Sequence, residues 1–86
     1  MKTEGIIIFD REEKEWKLWV GHCDYWIQQG YSFELLIRNQ YFQAFLEKDL
    51  DWFITLVDEV KLVLHINEVY KVRVELENFI KVSDPI

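Results

Sequence analysis

The sequence predicts an all-β fold: a small SH3-like or OB-like barrel, or a rolled antiparallel sheet, of five to six strands. Short runs of β-branched and aromatic residues recur at near-regular spacing along the 86-residue chain. Apolar and polar residues alternate along several of these runs, as expected of half-buried strands. Helical spacing competes with this pattern in one segment only. Many short strands with little helix are typical of small barrels and rolled sheets.

The first two predicted strands form a hairpin. Residues 5–9 are short, β-branched and bounded by charge, which favours a strand over a helix. Residues 10–14 are charged throughout and are predicted to form the hairpin loop. Residues 16–20 form the returning strand. One face of that strand carries Trp16, Leu18 and Val20.

A second hairpin and a further strand are predicted for the middle of the chain. An irregular stretch over residues 22–30 comes first and ends at Gly30, which we expect to adopt a positive φ. Residues 33–38 and 41–47 then alternate apolar and polar side chains on either side of a tight polar break. Residues 52–57 continue as a strand.

The segment over residues 50–65 supports two interpretations. Its apolar residues recur at helical spacing after Asp51, a residue type that caps helices. The β-favouring residues at 52–57 instead predict a strand there. Both a short helix near residues 58–66 and a short strand fit the link that follows. Strict alternation then returns at residues 70–76, which give the clearest predicted strand.

Length, cysteine content and charge limit the number of domains, the cellular compartment and the kinds of partner that we expect. We expect one domain over residues 1–86, with a core at about residues 5–76 and a short C-terminal tail. The single cysteine, Cys23, cannot form an internal disulfide. With no secretory leader and no apolar run of about 20 residues, we expect a cytoplasmic protein that does not enter a membrane. The net charge of −6 disfavours binding to nucleic-acid phosphates and to anionic lipid surfaces.

One ordered set of features resembles a known family. The features are Gly5 with its apolar strand, the Asp10 loop, residues 16–21, the strands at 30–38 and 41–47, Asp51-Trp52, and residues 70–74. Together they cover about residues 5–76 and resemble domain of unknown function 5348, a small all-β family of Gram-positive bacteria and their mobile elements. The resemblance implies an all-β fold and a mobile-element setting, and it implies no activity for any residue.

The sequence predicts no catalytic residue, no metal site and no cofactor. His22, Cys23 and Asp24 supply a base, a nucleophile and an acid in a row, but neighbouring side chains diverge and do not form a working dyad. A structural zinc site needs two pairs of Cys or His ligands, whereas this chain offers one such pair and a lone His65. A thiol or metal-dependent enzyme is therefore the least favoured hypothesis, and we expect no enzymatic activity.

The aromatic residues raise a second hypothesis, a nucleic-acid-binding small β-barrel. Such barrels stack bases on aromatic side chains and follow the phosphates with a positive groove. The cations on predicted strands are few and scattered: Lys17, Arg38, Lys71 and Arg73. A core this small needs large side chains to fill it, so we expect most aromatic residues to be structural. Nucleic-acid binding is therefore the runner-up.

Apolar residues occur on both predicted faces of the sheet, and this leads to the preferred hypothesis. We place on the core face Trp16, Phe42, Ile54 and Val72. The opposite face still carries Trp19, Leu36, Tyr41, Phe45, Phe53 and Val57. Either the chain covers this second face with residues 22–30 and Phe79-Ile80, or a partner does.

From this surplus we predict a non-enzymatic protein-interaction module. It would serve as an accessory subunit or inhibitor of a larger protein, or it would self-associate. Aromatic side chains dominate binding energy at protein interfaces, and they are the predicted contacts. The predicted binding residues are Trp19, Tyr41, Phe45 and Phe53.

Overall fold

The computed structural model describes residues 1–57 and 59–82 and shows an all-β protein. Nine strands form one antiparallel sheet. The strands are β1 Lys2–Asp10, β2 Glu15–Val20, β3 Cys23–Trp26, β4 Ser32–Ile37, β5 Gln40–Lys48, β6 Trp52–Leu56, β7 Lys61–Val63, β8 Tyr70–Glu75 and β9 Ile80–Lys81. One 3₁₀ turn, Leu76–Asn78, precedes β9. Across these described ranges, no helix is long and apolar enough to cross a membrane.

Strand β8 joins two halves of the sheet, whose strand order is β7-β6-β5-β4-β8-β1-β2-β3-β9. One half is the hairpin series from β4 to β7, and the other contains β1, β2, β3 and β9. The β8 strand opposes β1 over six residue pairs but opposes β4 over two, Glu34 with Arg73 and Leu35 with Val72. The join to β4 is therefore short, and it depends on a strand made near the C-terminal end of the chain.

One face of the sheet, the inner face, holds the core. Directly opposed residues of antiparallel strands project on the same side, so the pairs Ile7 with Leu18 and Leu35 with Val72 lie on this face. The buried apolar residues form one cluster, although the part of the chain that the structure describes contains no second layer packed on the sheet. A single sheet buries one face in this way by curling around its own side chains. The buried cluster consists of Ile7, Trp16, Leu18, Ile27, Phe33, Leu35, Ala44, Leu46, Ile54, Leu64, Val72, Val74 and Phe79.

Trp16 is the largest fully buried side chain in this core. Its ring makes edge-to-face contacts with Phe9 and Tyr70, with ring centroids 5.5 and 5.8 Å away. The hydroxyl of Tyr70 accepts a hydrogen bond from the backbone N–H of His65 at 2.9 Å. Trp16 therefore connects β1 and β2 to β8 and to the segment that follows β7.

Backbone hydrogen bonds attach the segment after β3 to β5. The N–H of Gly30 donates to the carbonyl oxygen of Leu46 at 2.6 Å, and the N–H of Leu46 donates to Tyr31 at 2.9 Å. Gly30 has a φ of 93°, which confirms the expected positive φ. Tyr31 packs edge to face on Phe79 with centroids 5.2 Å apart, so the chain beyond residue 76 also contributes to the core.

The sheet has nine strands rather than the five or six predicted, and it is open rather than a closed SH3-like or OB-like barrel. Within residues 1–57 and 59–82, both β7 and β9 pair on one side only. The strands that the prediction left out, β3 and β9, have four and two residues, and β7, which it left open between a helix and a strand, has three. Alternation over so few residues does not distinguish a strand from a loop. Residues 22–30, predicted to be irregular, accordingly contain β3, which pairs with β2.

Of the two structures that fit the link near residues 58–66, the described residues show the strand, β7, and residue 58 lies outside them. Pairing with β6 favours the strand, because the β6–β7 ladder supplies hydrogen bonds to backbone groups that a helix would have to pair with one another. This ladder continues past β7, where the N–H of Leu64 donates to the carbonyl oxygen of Trp52 at 3.0 Å.

Phe42 differs from the other predicted core residues. It opposes Leu35 and so lies on the inner face, but it is 36% exposed, whereas Trp16, Ile54 and Val72 are fully buried. The β4–β8 ladder ends at Leu35. Beyond that pair the strands separate, and this end of the inner face stays open to solvent.

We predict that Gly5→Ala lowers the free energy of unfolding by about 1–3 kcal/mol, the usual cost of overpacking. A Cβ at Gly5 would lie 2.6 Å from the carbonyl oxygen of Trp19, a backbone atom that cannot move aside cheaply. Urea denaturation measures the change, and Glu4→Ala, an exposed change at the next position, is the matched control. Equal midpoints for the two variants would show that β1 and β2 separate at no cost.

Candidate functional site

The outer face of the sheet, opposite the core, carries the predicted binding residues. Strand register assigns residues to it. Glu34, for example, opposes Arg73 on β8 and Gln43 on β5, whereas the next residue, Leu35, belongs to the core. Neither segment that was predicted to cover this face does so. Strand β3 extends the sheet itself, and Phe79 packs in the core.

Phe45 and Phe53 lie together on the outer face. Phe45 opposes Thr55, and Phe53 opposes Glu47, so the two residues are diagonal neighbours on β5 and β6. The Cα atoms of diagonal neighbours in such a ladder are roughly 7–8 Å apart. Phe45 is 39% exposed. The ammonium of Lys61 lies 5.3 Å from the centroid of the Phe53 ring and covers part of it.

Tyr41 lies on the same strand as Phe45 but away from this pair. Four residues along β5 separate them, which is roughly 13 Å. The guanidinium carbon of Arg73 lies 4.0 Å from the centroid of the Tyr41 ring, so one ring face is occupied within the chain. The sequence prediction placed Tyr41 on the correct face but did not foresee this cover.

Trp19 lies on β2, in the other half of the sheet, where it opposes Ile6 and Asp24. Four strand spacings separate β2 from β5, a path of roughly 19 Å along the sheet. Trp19 is therefore on the outer face but is not a neighbour of Phe45 or Phe53.

Glu34 holds Arg73 in place over Tyr41. Its carboxylate accepts hydrogen bonds from Lys2 Nζ at 2.9 Å and from Arg73 Nε at 2.9 Å. These contacts, the Lys2 hydrogen bond first, hold the pKa of Glu34 below its ordinary value. The ionised carboxylate thus connects three strands, β1, β4 and β8.

A similar cation covers an aromatic ring at the other end of the sheet. Lys17 Nζ lies 4.8 Å from the centroid of the Trp26 ring. It also donates a hydrogen bond to Asp10 Oδ2 at 2.6 Å. The Lys17 hydrogen bond lowers the pKa of Asp10, and the same bond raises the pKa of Lys17. The aromatic rings of Trp26, Tyr41 and Phe53 therefore each have a cation from this chain over one face.

A cavity of about 280 Å³ adjoins Phe53 at the β5–β6 turn. Its apolar members include Leu50, which is 94% exposed, and Val63, which is 59% exposed. Asp49 and Asp51 add carboxylates to its lining. Sequence reasoning missed these four residues, because Leu50 and the aspartates were assigned to a turn and the segment of β7 was left open between a helix and a strand. We call Phe45, Leu50, Phe53 and Val63 the outer-face patch.

The residues considered for catalysis or metal binding do not form a site. Cys23 is partly buried on β3 and opposes Val20, so it points to the inner side of the sheet, whereas Asp24 is on the outer side. His65 follows β7, at the opposite end of the strand order. In residues 1–57 and 59–82, no three His, Cys, Asp or Glu side chains are grouped so that they could hold a metal ion.

We compared the chain with known protein families, curated proteins and solved structures. No protein-family model, curated protein or solved structure matches this chain.

The stability that Glu34 contributes should depend on pH in a defined direction. Because its folded-state pKa is lowered, Glu34 stabilises the fold above the ordinary pKa of 4.5, and this contribution is lost as the pH falls through the lowered value. We expect Glu34→Gln to lower the free energy of unfolding by about 1 kcal/mol at pH 7, with the difference shrinking toward zero at acid pH.

Urea denaturation between pH 7 and pH 2 measures this difference. Glu75→Gln is the matched control, because the Glu75 side chain is 42% exposed and its partner, the N-terminal ammonium, is 98% exposed. That control should change stability by less than about 0.5 kcal/mol. A Glu34→Gln deficit that persists unchanged at the lowest pH would mean that packing, not charge, accounts for it.

Proposed function

We propose that the protein is a non-enzymatic protein-interaction module, an accessory subunit or inhibitor that binds a larger protein through the outer-face patch. The observation that carries the proposal is where the exposed apolar side chains lie. Three of the four patch residues, Phe45, Leu50 and Val63, are among the eleven large apolar side chains that are exposed in the described residues. Scattered exposed apolar residues are ordinary on a protein surface, but a local concentration of them marks an interaction site.

The composition of the patch supports a protein partner. Phe45 and Phe53 are rigid aromatic side chains beside two aliphatic ones, Leu50 and Val63, on adjacent strands of a folded sheet. Aromatic anchors held in one conformation lose little entropy on binding and carry a large share of the binding energy. The aspartates beside them supply a polar rim, which is typical of such interfaces.

Three cations of the outer face are already ion-paired within the protein, which favours a protein partner over nucleic acid. Lys2 and Arg73 are ion-paired with Glu34, and Lys17 is ion-paired with Asp10. A cation that is already paired gains less from a phosphate, because its own carboxylate must be displaced. The rings of Tyr41 and Phe53, which bases would stack on, are partly covered. The setting that we propose is the bacterial cytoplasm beside mobile-element products, supported by the resemblance of residues 5–76.

We predict that Phe45→Ala and Phe53→Ala each weaken partner binding, or self-association, by about 1–3 kcal/mol, as truncated anchors do. The partner is captured from a lysate of the native host on immobilised wild-type protein, identified, and titrated against each variant. Phe42→Ala is the matched control, because Phe42 is 36% exposed on the same strand but on the inner side.

Thermal melts of each variant separate interface from core. Since Phe45 is 39% exposed, its truncation should leave the melting temperature within a few degrees of wild type. A collapse of the melting temperature together with the loss of binding would assign these rings to the fold and remove the proposed interface.

The nucleic-acid alternative is tested by fluorescence anisotropy with single- and double-stranded DNA and RNA at low and moderate salt. The proposal expects no submicromolar binding. Tight binding that weakens steeply with salt would instead assign the protein to the nucleic-acid class.

A further inference from the structure

We propose that the free edge of β7 binds an extended, basic segment of the partner protein by strand addition. The inference rests on the proposed function and names the partner chemistry. The partner segment would add a tenth strand next to β7, place an apolar side chain in the cavity beside it, and set basic side chains against the acidic residues around that edge.

The register of β6 and β7 shows which backbone groups point outward. The N–H of Leu64 donates to Trp52, and the N–H of Leu56 donates to Val60, so these opposed pairs are the hydrogen-bonded ones. Hydrogen-bonded and non-hydrogen-bonded pairs alternate along an antiparallel ladder. Lys61 and Val63 lie at the non-hydrogen-bonded positions, and their N–H and C=O groups therefore point away from β6 to the open edge.

The β7 edge is exposed along its whole length. All three residues of β7 are exposed and none is proline, so its short length and Lys61 are the two features that limit pairing at this edge. The exposed apolar residues flank it closely, with Val60 just before it and Ile66 and Val69 just after it. Unpaired backbone groups with apolar flanks are the usual template for an added strand.

A cavity of about 330 Å³ runs beside this edge and contains Leu36, Ile37, Leu62, Leu64 and Tyr70 among its lining residues. It lies where β4 has separated from β8 beyond Leu35. Its lining also includes Leu35 and Ile54, which share the inner face with Leu62, so the cavity opens from the inner face toward β7. An aromatic ring fits a cavity of about 150 Å³. The volume therefore has room for one large apolar side chain of an added strand.

The acidic residues around β7 favour a basic segment as the added strand. Asp49 and Asp51 line the cavity on the outer side of β7, and Glu68 lines the one beside its edge. Glu59 precedes the strand, whereas Lys61 on β7 already lies over Phe53. Edge-to-edge pairing of two copies would bring these acidic groups together on chains of net charge −6. A segment alternating basic and apolar residues complements both the charge and the cavity.

The test uses a synthetic peptide in which lysine alternates with valine and isoleucine, titrated into the full chain and followed by NMR. We expect the amides of Lys61 and Val63 to shift and to become protected from hydrogen exchange. Two matched peptides serve as probes of mechanism: an acidic analogue with glutamate in place of lysine, and a version N-methylated on alternate amides. Both should bind at least about tenfold more weakly, since one loses the charge and the other the backbone pairing.

Variants of β7 separate backbone pairing from side-chain contact. Val63→Pro removes an outward N–H without removing a bond to β6, and proline is tolerated at such edge positions. We expect it to weaken binding about tenfold, whereas Val63→Ala, which keeps the N–H, should cost about threefold or less. If Val63→Pro does not fold, the N-methylated peptide on wild-type protein gives the same comparison.

Three results would overturn the inference. The first is equal binding of the basic and N-methylated peptides. The second is peptide-induced shifts at Phe45 and Phe53 with none at Lys61 and Val63, which would leave the interaction module intact and remove only the β7 assignment. The third is a wild-type dimer in sedimentation equilibrium that Val63→Pro converts to monomer, which would identify the occupant as a second copy of this chain. Capture that depends on Phe45 and Phe53 tests the proposed function separately.

Discussion

The structure depends on one constraint: a single sheet with no second layer has to bury its apolar face against itself. The sheet buries this face by curling around Trp16, whose indole contacts β1 through Phe9 and β8 through Tyr70. The short β4–β8 ladder then closes the two halves over the shared cluster. Where that ladder ends, the sheet opens, and the cavity beside β7 and the exposure of Phe42 are both consequences.

The outer face differs in polarity between the two halves of the sheet. Around β1, β4 and β8, the ion pairs of Glu34 with Lys2 and Arg73 make the face polar and hold a cation over Tyr41. Around β5, β6 and β7, apolar side chains stay exposed on the outer face beside the charged groups of Glu47 and Lys61. Exposed charge pairs add little stability. Their larger effect here is to make one part of the outer face polar, whereas the outer-face patch stays apolar.

Much of the fold could be predicted because alternation survives in strands of five or more residues. The first hairpin, the β4–β5 pair and β8 follow from period-2 patterns, and the positive φ of Gly30 follows from its position before a strand. The candidate site was predictable only in part. Parity placed Phe45 and Phe53 on one face, but it did not reveal Arg73 over Tyr41, the separation of Trp19, or the contribution of Leu50 and Val63.

By itself the sequence determined the all-β class, the inner-face residues of the long strands and the acidic surface, because these follow from local alternation and composition. Only the tertiary structure decided the number of strands, the open edges and which surface residues are neighbours. Short strands such as β7 and β9 exist because another strand satisfies their backbone groups, and that partner is chosen by how the sheet curls. Which strand lies next to which is a long-range property, so no local pattern in 86 residues records it.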